Sequence, residues 1–138
     1  MAGPDTTNLG FLLAKASQRW NERLAEGFVR AGFAEVRPSY GSVLLPLWEE
    51  DGLRMGQLAE RARLSKQTMT TLVRLCERDG LVERAPDPED GRATVVSLTA
   101  RAKAFAPVAA RIVAGLEQEV STRARRDLAR ALKEVMQL

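Results

Sequence analysis

The run from Ser65 to Arg78 carries the side chains with the clearest chemistry in this chain: Ser65-Lys66-Gln67-Thr68 opens it, and Thr70, Thr71, Arg74 and Arg78 follow. Short hydroxyls, an amide and cationic heads are the groups that hydrogen-bond base edges and phosphate oxygens in a DNA major groove. If Met69, Leu72, Val73 and Cys76 form the apolar side of a helix, then Gln67, Thr70, Thr71, Arg74 and Arg78 fall opposite, with Lys66 at the N-terminal rim. Ser65 is suited to cap that helix, whose first backbone N–H groups are then free to meet a phosphate. An ordinary solvated helix face has the same composition, so the surrounding elements must decide. A second candidate is Asp90-Gly91-Arg92. A guanidinium at a loop tip suits a narrow minor groove, and Asp90, two residues away, is placed to pair with Arg92 and orient it. The plain alternative is a surface turn with an exposed ion pair worth ~0–1 kcal/mol.

Other chemistry is poorly supplied. The 138 residues contain no histidine, which removes the commonest general base and metal ligand together. A serine nucleophile would lack its usual base, no glycine-rich phosphate cradle follows a strand, and Glu49-Glu50-Asp51 reads as a helix end. The reading is therefore of a protein that is not an enzyme and needs no cofactor or metal. One cysteine, Cys76, allows neither an internal disulfide nor a thiolate cluster. A single thiol and no secretion signal suggest a cytoplasmic setting, and no uncharged stretch approaches the ~20 apolar residues of a membrane span. With 45% hydrophobic, 5% aromatic and 28% charged residues, the composition fits one helix-rich globular domain.

The elements that must hold these groups can be read from periodicity. Leu9, Leu12, Leu13, Ala16, Trp20, Leu24 and Phe28 form one stripe of a helix from about Asn8 to Ala31, capped by Thr7 or Asn8 and stopped by Gly32. Arg37-Pro38 opens a second helix with Tyr40, Val43, Leu44, Leu47 and Trp48 inward and Pro46 as a kink, ended by Asp51-Gly52. Leu53-Arg54-Met55 reads as a link to a third helix, Gln57 to about Ala62, with Leu58, Ala59 and Ala62 inward. After three residues comes the fourth helix, from Ser65 to Asp79-Gly80. Leu81–Arg84 and Arg92–Leu98, the latter with Thr94, Val96 and Leu98 on one side, form a hairpin around the Asp87–Gly91 turn chemistry. Thr99 caps a fifth helix reaching about Glu119, bent or broken at Pro107, and Ser121 or Thr122 caps a last one with Leu128, Ala131, Leu132 and Val135.

Two helices joined by a three-residue turn and followed by a hairpin make a winged helix-turn-helix: a mainly α fold with a small β-hairpin wing. The outer helices carry more apolar stripe than so small a module covers, which points to a second copy of the chain. On Gly80-Leu81-Val82-Glu83-Arg84, Asp87-Pro88-Glu89-Asp90-Gly91-Arg92 and Val96-Ser97-Leu98-Thr99, with Leu58-Ala59-Glu60-Arg61-Ala62 and Leu64-Ser65-Lys66-Gln67-Thr68 before them, the chain resembles the MarR (multiple antibiotic resistance regulator) family over nearly its whole length.

That resemblance implies a single unit of residues 1–138, in which 1–37 and 99–138 supply dimerisation helices and 38–98 the DNA-reading lobe. It implies a homodimeric transcriptional regulator, a repressor relieved by a small ligand, that reads a pseudo-palindrome in double-stranded DNA. Its contacts would be Ser65, Lys66, Gln67, Thr68, Thr70, Thr71 and Arg74 on the recognition helix. The wing would add Arg92 in the minor groove, oriented by Asp90. Two positions depart from the family: Arg63 stands where glycine is frequent, which predicts a strained turn, and Ala102 replaces another glycine. A small aromatic or phenolic acid in a cleft beside Trp20, Tyr40 and Trp48, with Arg19 or Arg23 near its carboxylate, is the ligand the family suggests, although aromatics at helical spacing are more often core. Two other readings stay open: a winged-helix protein-interaction module without DNA binding, and a regulator that senses oxidants through Cys76, which otherwise serves as a small buried hydrophobe.

Charge does not simply follow this division. The formal net charge is +3, with −2 over residues 1–53, +1 over 54–92 and +4 over 93–138. The acids of the central region offset its arginines, so binding must depend on where charges face rather than on their sum.

Overall fold

The computed structural model describes residues 2–138. Asn8 caps α1 (Leu9–Arg30) by accepting the Phe11 N–H, and the chain leaves that helix through Gly32 at φ +87°. A single 3-10 turn at Pro38–Tyr40 leads into α2 (Gly41–Glu49), which runs through Pro46. The helix-turn-helix is α3 (Met55–Ala62) and α4 (Lys66–Arg78), with Ser65 capping α4 by accepting the Thr68 N–H at 3.1 Å. The two wing strands are β2 (Val82–Pro86) and β3 (Thr94–Leu98), after which α5 (Ala100–Gln118) and α6 (Thr122–Val135) complete the chain.

Two expectations change. The supposed link contains a strand, β1 (Leu53–Arg54), whose residues pair antiparallel with Val96 and Val95 of β3, while Met55 already opens α3. The hairpin is thus the inner part of a three-stranded sheet in the order β1-β3-β2. A two-residue strand is too short to show alternation, so periodicity could not reveal it. Pro107 neither ends nor breaks α5, which continues to Gln118. Phe105 and Ala109, both buried, hold the helix to the core on either side of it; such packing overrides a local cost of ~3 kcal/mol.

The core belongs to the lobe and to the inner halves of α1 and α5. Leu44 and Leu47 of α2, Leu58 of α3, Met69 and Val73 of α4 and Val96 of β3 are all buried, joined by Phe28 from α1 and Phe105 from α5. Gly27 lets α1 lie directly on α5, because a Cβ there would come within 2.8 Å of Ile112 Cγ2. Away from this junction the apolar stripes are bare. Leu9 and Leu12 on α1 are 70% and 48% exposed, and α6 buries no residue at all, leaving Leu128, Leu132 and Met136 at the surface.

Candidate nucleic-acid interface

The two faces of α4 separate as its spacing requires. Met69, Val73 and Cys76 are buried and Leu72 is half-buried, while Ser65, Lys66, Gln67, Thr68, Thr71 and Arg74 are exposed and Thr70 is half-buried. The Ser65 hydroxyl donates to Thr68 Oγ1 at 2.9 Å while accepting the Thr68 N–H. Thr70 and Thr71 donate to the carbonyls of Lys66 and Gln67 at 2.8 and 3.2 Å. Their hydroxyl protons are therefore held by the helix itself, and what they turn outward is acceptor lone pairs and a methyl group. Gln67, Thr70, Thr71 and Arg74 lie at offsets of three, four and seven, a single ridge along the exposed side.

The wing loop is pinned by its own acids. Asp87 donates its N–H to Ala93 O at 2.9 Å, Asp90 N–H reaches Asp87 O at 3.2 Å, and Ala93 N–H reaches Asp90 O at 3.0 Å. The side-chain pair expected between Asp90 and Arg92 does not form; instead Asp90 Oδ1 accepts the Arg92 backbone N–H at 3.1 Å. The guanidinium is left exposed and, among the described residues, without a carboxylate partner.

Most other cations of the lobe are committed. Arg54 binds Asp87 at 2.5 Å, Arg61 binds Glu50, and Arg63 Nη1 donates to Met136 O at 3.0 Å. Arg78 holds Asp79 through Nε at 3.1 Å and Nη2 at 3.2 Å, and Arg84 holds Glu77 at 2.9 Å. Arg78, on the predicted reading side, is thereby a structural residue. Among the described residues of the lobe, Lys66, Arg74 and Arg92 are the basic side chains with neither an ion pair nor a side-chain hydrogen bond, and all three lie on α4 or at the wing tip. Within 54–92, Glu77, Asp79 and Asp87 are bound to arginines of the frame, which leaves the unpaired cations on α4 and the wing tip facing outward.

Arg63 at the turn before α4 sits at φ +57°, ψ +40°, the left-handed conformation that the frequent family glycine would adopt without strain. The predicted strain is therefore present in the backbone.

Tyr40 and Trp48, two of the residues suggested beside a ligand cleft, are held by contacts within the lobe and to α5. Tyr40 is fully buried, and its hydroxyl donates to Asp79 Oδ2 at 2.6 Å. Burial first, and then that carboxylate, push the Tyr40 phenol up to about 12. Asp79 is held below the usual carboxylate range by the Arg78 guanidinium and then by Tyr40. Trp48 is half-buried, donates its indole N–H to Ala102 O at 3.3 Å, and leans on Phe105. Both rings are already occupied in the lobe and its junction with α5. Trp20, half-buried like Trp48 but on α1, has no hydrogen bond or ring contact among the described residues. Of the two suggested cations, Arg23 is paired with Glu119 at 2.6 Å and Arg19 with Glu22 at 3.2 Å.

Cys76 has no solvent exposure, and burial pushes its thiol up to about 12, with Asp79 adding to the rise. A thiol buried in this way meets a reagent or oxidant only when the packing around it opens. A thiol reagent should modify the folded protein no faster than global unfolding exposes the sulfur. Rapid labelling with loss of DNA binding would restore the redox reading.

Sequence reasoning missed the groups that set this geometry: Arg54 with Asp87, Tyr40 with Asp79, and Glu77 with Arg84. Each pair joins residues brought close only by the fold, so spacing could not signal them.

Comparison with known proteins agrees with this geometry. A model of the MarR family matches residues 38–93, which include the helix-turn-helix and the wing loop through Arg92. An HTH-type transcriptional repressor of Mycobacterium tuberculosis is 30% identical over 103 residues, covering 65% of this chain and 74% of that protein. The HTH-type transcriptional regulator TtmR of Methylorubrum extorquens is 42% identical over 57 residues, but the match covers 41% of this chain and spans only 29% of that protein's length. Among solved structures, the PcaV transcriptional regulator of Streptomyces coelicolor, in complex with its natural ligand, superposes with TM-score 0.78 at 24% identity, covering 99% of this chain and 98% of the other. The transcriptional repressor CouR bound to a 23-mer DNA duplex superposes with TM-score 0.77 at 21% identity, covering 99% and 100%. These structural likenesses establish the fold, and together with the sequence matches they place the protein: the chain belongs to the MarR family of winged helix-turn-helix transcriptional regulators.

Proposed function

We propose that this protein is a homodimeric, sequence-specific DNA-binding repressor of transcription, working in the cytoplasm and relieved by a small molecule. The observation that carries the reading is the distribution of cations. Five arginines of the lobe are bound to carboxylates or a carbonyl, while Lys66 and Arg74 on α4 and Arg92 on the wing are free for phosphates and base edges. In this arrangement α4 enters a major groove, with Ser65, Gln67, Thr68, Thr70 and Thr71 beside the two cations, and Arg92, its amide held by Asp90, reaches the flanking minor groove.

Residues 38–98 form the reading lobe, and residues 1–37 with 99–138 form the dimerisation part. Support for the dimer comes from the uncovered apolar residues of α1 and α6. A two-fold dimer would present two copies of α4 to half-sites about one helical turn apart, ~10–10.5 base pairs. A small aromatic or phenolic ligand would seat between the two parts, with Trp20 of α1 as a candidate ring. It would release DNA by favouring a lobe spacing that no longer matches the half-sites.

Selection of duplexes by the protein from a random DNA library tests the core of this reading. The expected result is a pseudo-palindromic site whose affinity falls linearly with salt on a log–log plot, by ~0.9 per neutralised phosphate. A dimer that binds no duplex at low salt yet holds a protein partner would establish the interaction-module reading in its place.

A further inference from the structure

Asp87 is, among the described residues, the one buried charged side chain, 9% exposed, and it lies at the base of the wing loop. A buried carboxylate persists only where several partners satisfy it. Asp87 has the Arg54 guanidinium at 2.5 Å and the Glu89 N–H at 2.9 Å, and its own N–H closes the loop on Ala93 O at 2.9 Å. The backbone N–H of Glu89 first, and then Arg54, hold its carboxyl below the usual range.

Arg54 arrives from the opposite side of the sheet. It belongs to the edge strand β1, opposite Val95 of the central strand, and its N–H donates to Gln57 Oε1 at 2.9 Å where α3 begins. Its side chain thus spans β3 to join the first residue before the helix-turn-helix to the base of the loop that carries Arg92. With 44% of its side chain exposed, Arg54 is not a core residue, and partly exposed pairs of this kind add little to global stability. Its geometric consequence is larger. The recognition helix and the wing tip must meet one duplex at a fixed separation, and this is a side-chain tie between the two readers.

We infer that Arg54, through Asp87, is a positioning residue that sets the Arg92 guanidinium in register with α4 for simultaneous major- and minor-groove contact. The inference rests on the DNA-binding reading above. An Arg54 that acts through Arg92 has nothing left to contribute once Arg92 is gone, whereas a residue that merely stabilises the lobe weakens binding in either background.

The test is a double-mutant cycle of Arg54→Gln and Arg92→Ala in the full chain, titrated against a labelled duplex that the wild-type protein has selected from a random library. Arg54→Gln alone should weaken binding by roughly 5- to 30-fold, and in the Arg92→Ala background by less than about twofold. Circular dichroism checks that each variant is folded, and Arg54→Lys, which keeps the charge but loses the planar fork, replaces Arg54→Gln in the cycle if the latter does not fold. Equal losses in both backgrounds, or no loss in the single variant, would overturn the positioning role while leaving DNA binding intact. Failure of the wild-type protein to select any duplex would overturn the DNA-binding reading itself, and this inference with it.

Discussion

Arg92→Ala should weaken binding to the selected duplex by about 1–3 kcal/mol, roughly 5- to 150-fold, for each wing that lacks the guanidinium. The expectation follows from the way the wing leaves this residue. Its amide is tied to Asp90 Oδ1 at 3.1 Å, the surrounding turn is closed by bonds among Asp87, Asp90 and Ala93, and the guanidinium is exposed with no carboxylate beside it. Little loop ordering remains to be done on binding, so truncating the side chain takes away its hold on the groove and leaves the loop as rigid as before. Because an exposed, unpaired arginine supports nothing else in the chain, the thermal midpoint should stay within a few degrees of wild type. The salt slope should fall by about 1 for each phosphate that the variant no longer neutralises. Unchanged affinity in a folded variant would remove Arg92 from the interface.

Phe105→Ala should have the largest effect on stability, about 3–5 kcal/mol. That is a large share of the roughly 5–15 kcal/mol typical of a whole domain. Phe105 is 1% exposed, and its ring meets Phe28 edge-on at 4.9 Å, Phe33 at 4.8 Å and Trp48 at 6.0 Å. It therefore joins α5 to α1, to the segment after α1 and to α2. Truncation leaves a cavity that these separate elements cannot all close. Urea unfolding at one fixed protein concentration reads the loss, and a change below about 1 kcal/mol would show that the junction repacks. The lobe depends on this junction for its attachment to α5, so DNA affinity at moderate denaturant should fall together with stability.

What could be read without coordinates was what short spacing encodes. The order of helices, the Ser65 cap, the separation of Met69, Val73 and Cys76 from Gln67, Thr71 and Arg74, and the turn of the wing all follow from side chains within a few residues of one another. The left-handed backbone at Arg63 was legible too, because a family glycine marks a conformation rather than a contact. Tyr40 shows where that kind of reading ends. Its place on an apolar stripe was evident, but its bond to Asp79, 39 residues away, decides whether it lines a cleft or closes one. The same holds for Arg54, which lies in a two-residue strand and finds Asp87 only through the sheet. Charge was the most deceptive quantity. Regional totals could not distinguish arginines that hold the frame, such as Arg78 and Arg84, from Arg74 and Arg92, which face solvent unpaired.

The bond between Tyr40 and Asp79 also gives the molecule an optical signal of its own. Tyr40 is the chain's single tyrosine, so the near-ultraviolet band of ionised phenol reports one site without labelling or assignment. In the unfolded chain that phenol ionises near its ordinary value of 10.0, and in the folded chain only near about 12. The neutral form is the one the fold prefers, so the stability it lends is complete below 10.0 and drains away as pH rises toward about 12. Absorbance of the free protein followed through that window reads the attachment of the recognition helix's C-terminus to the turn before α2.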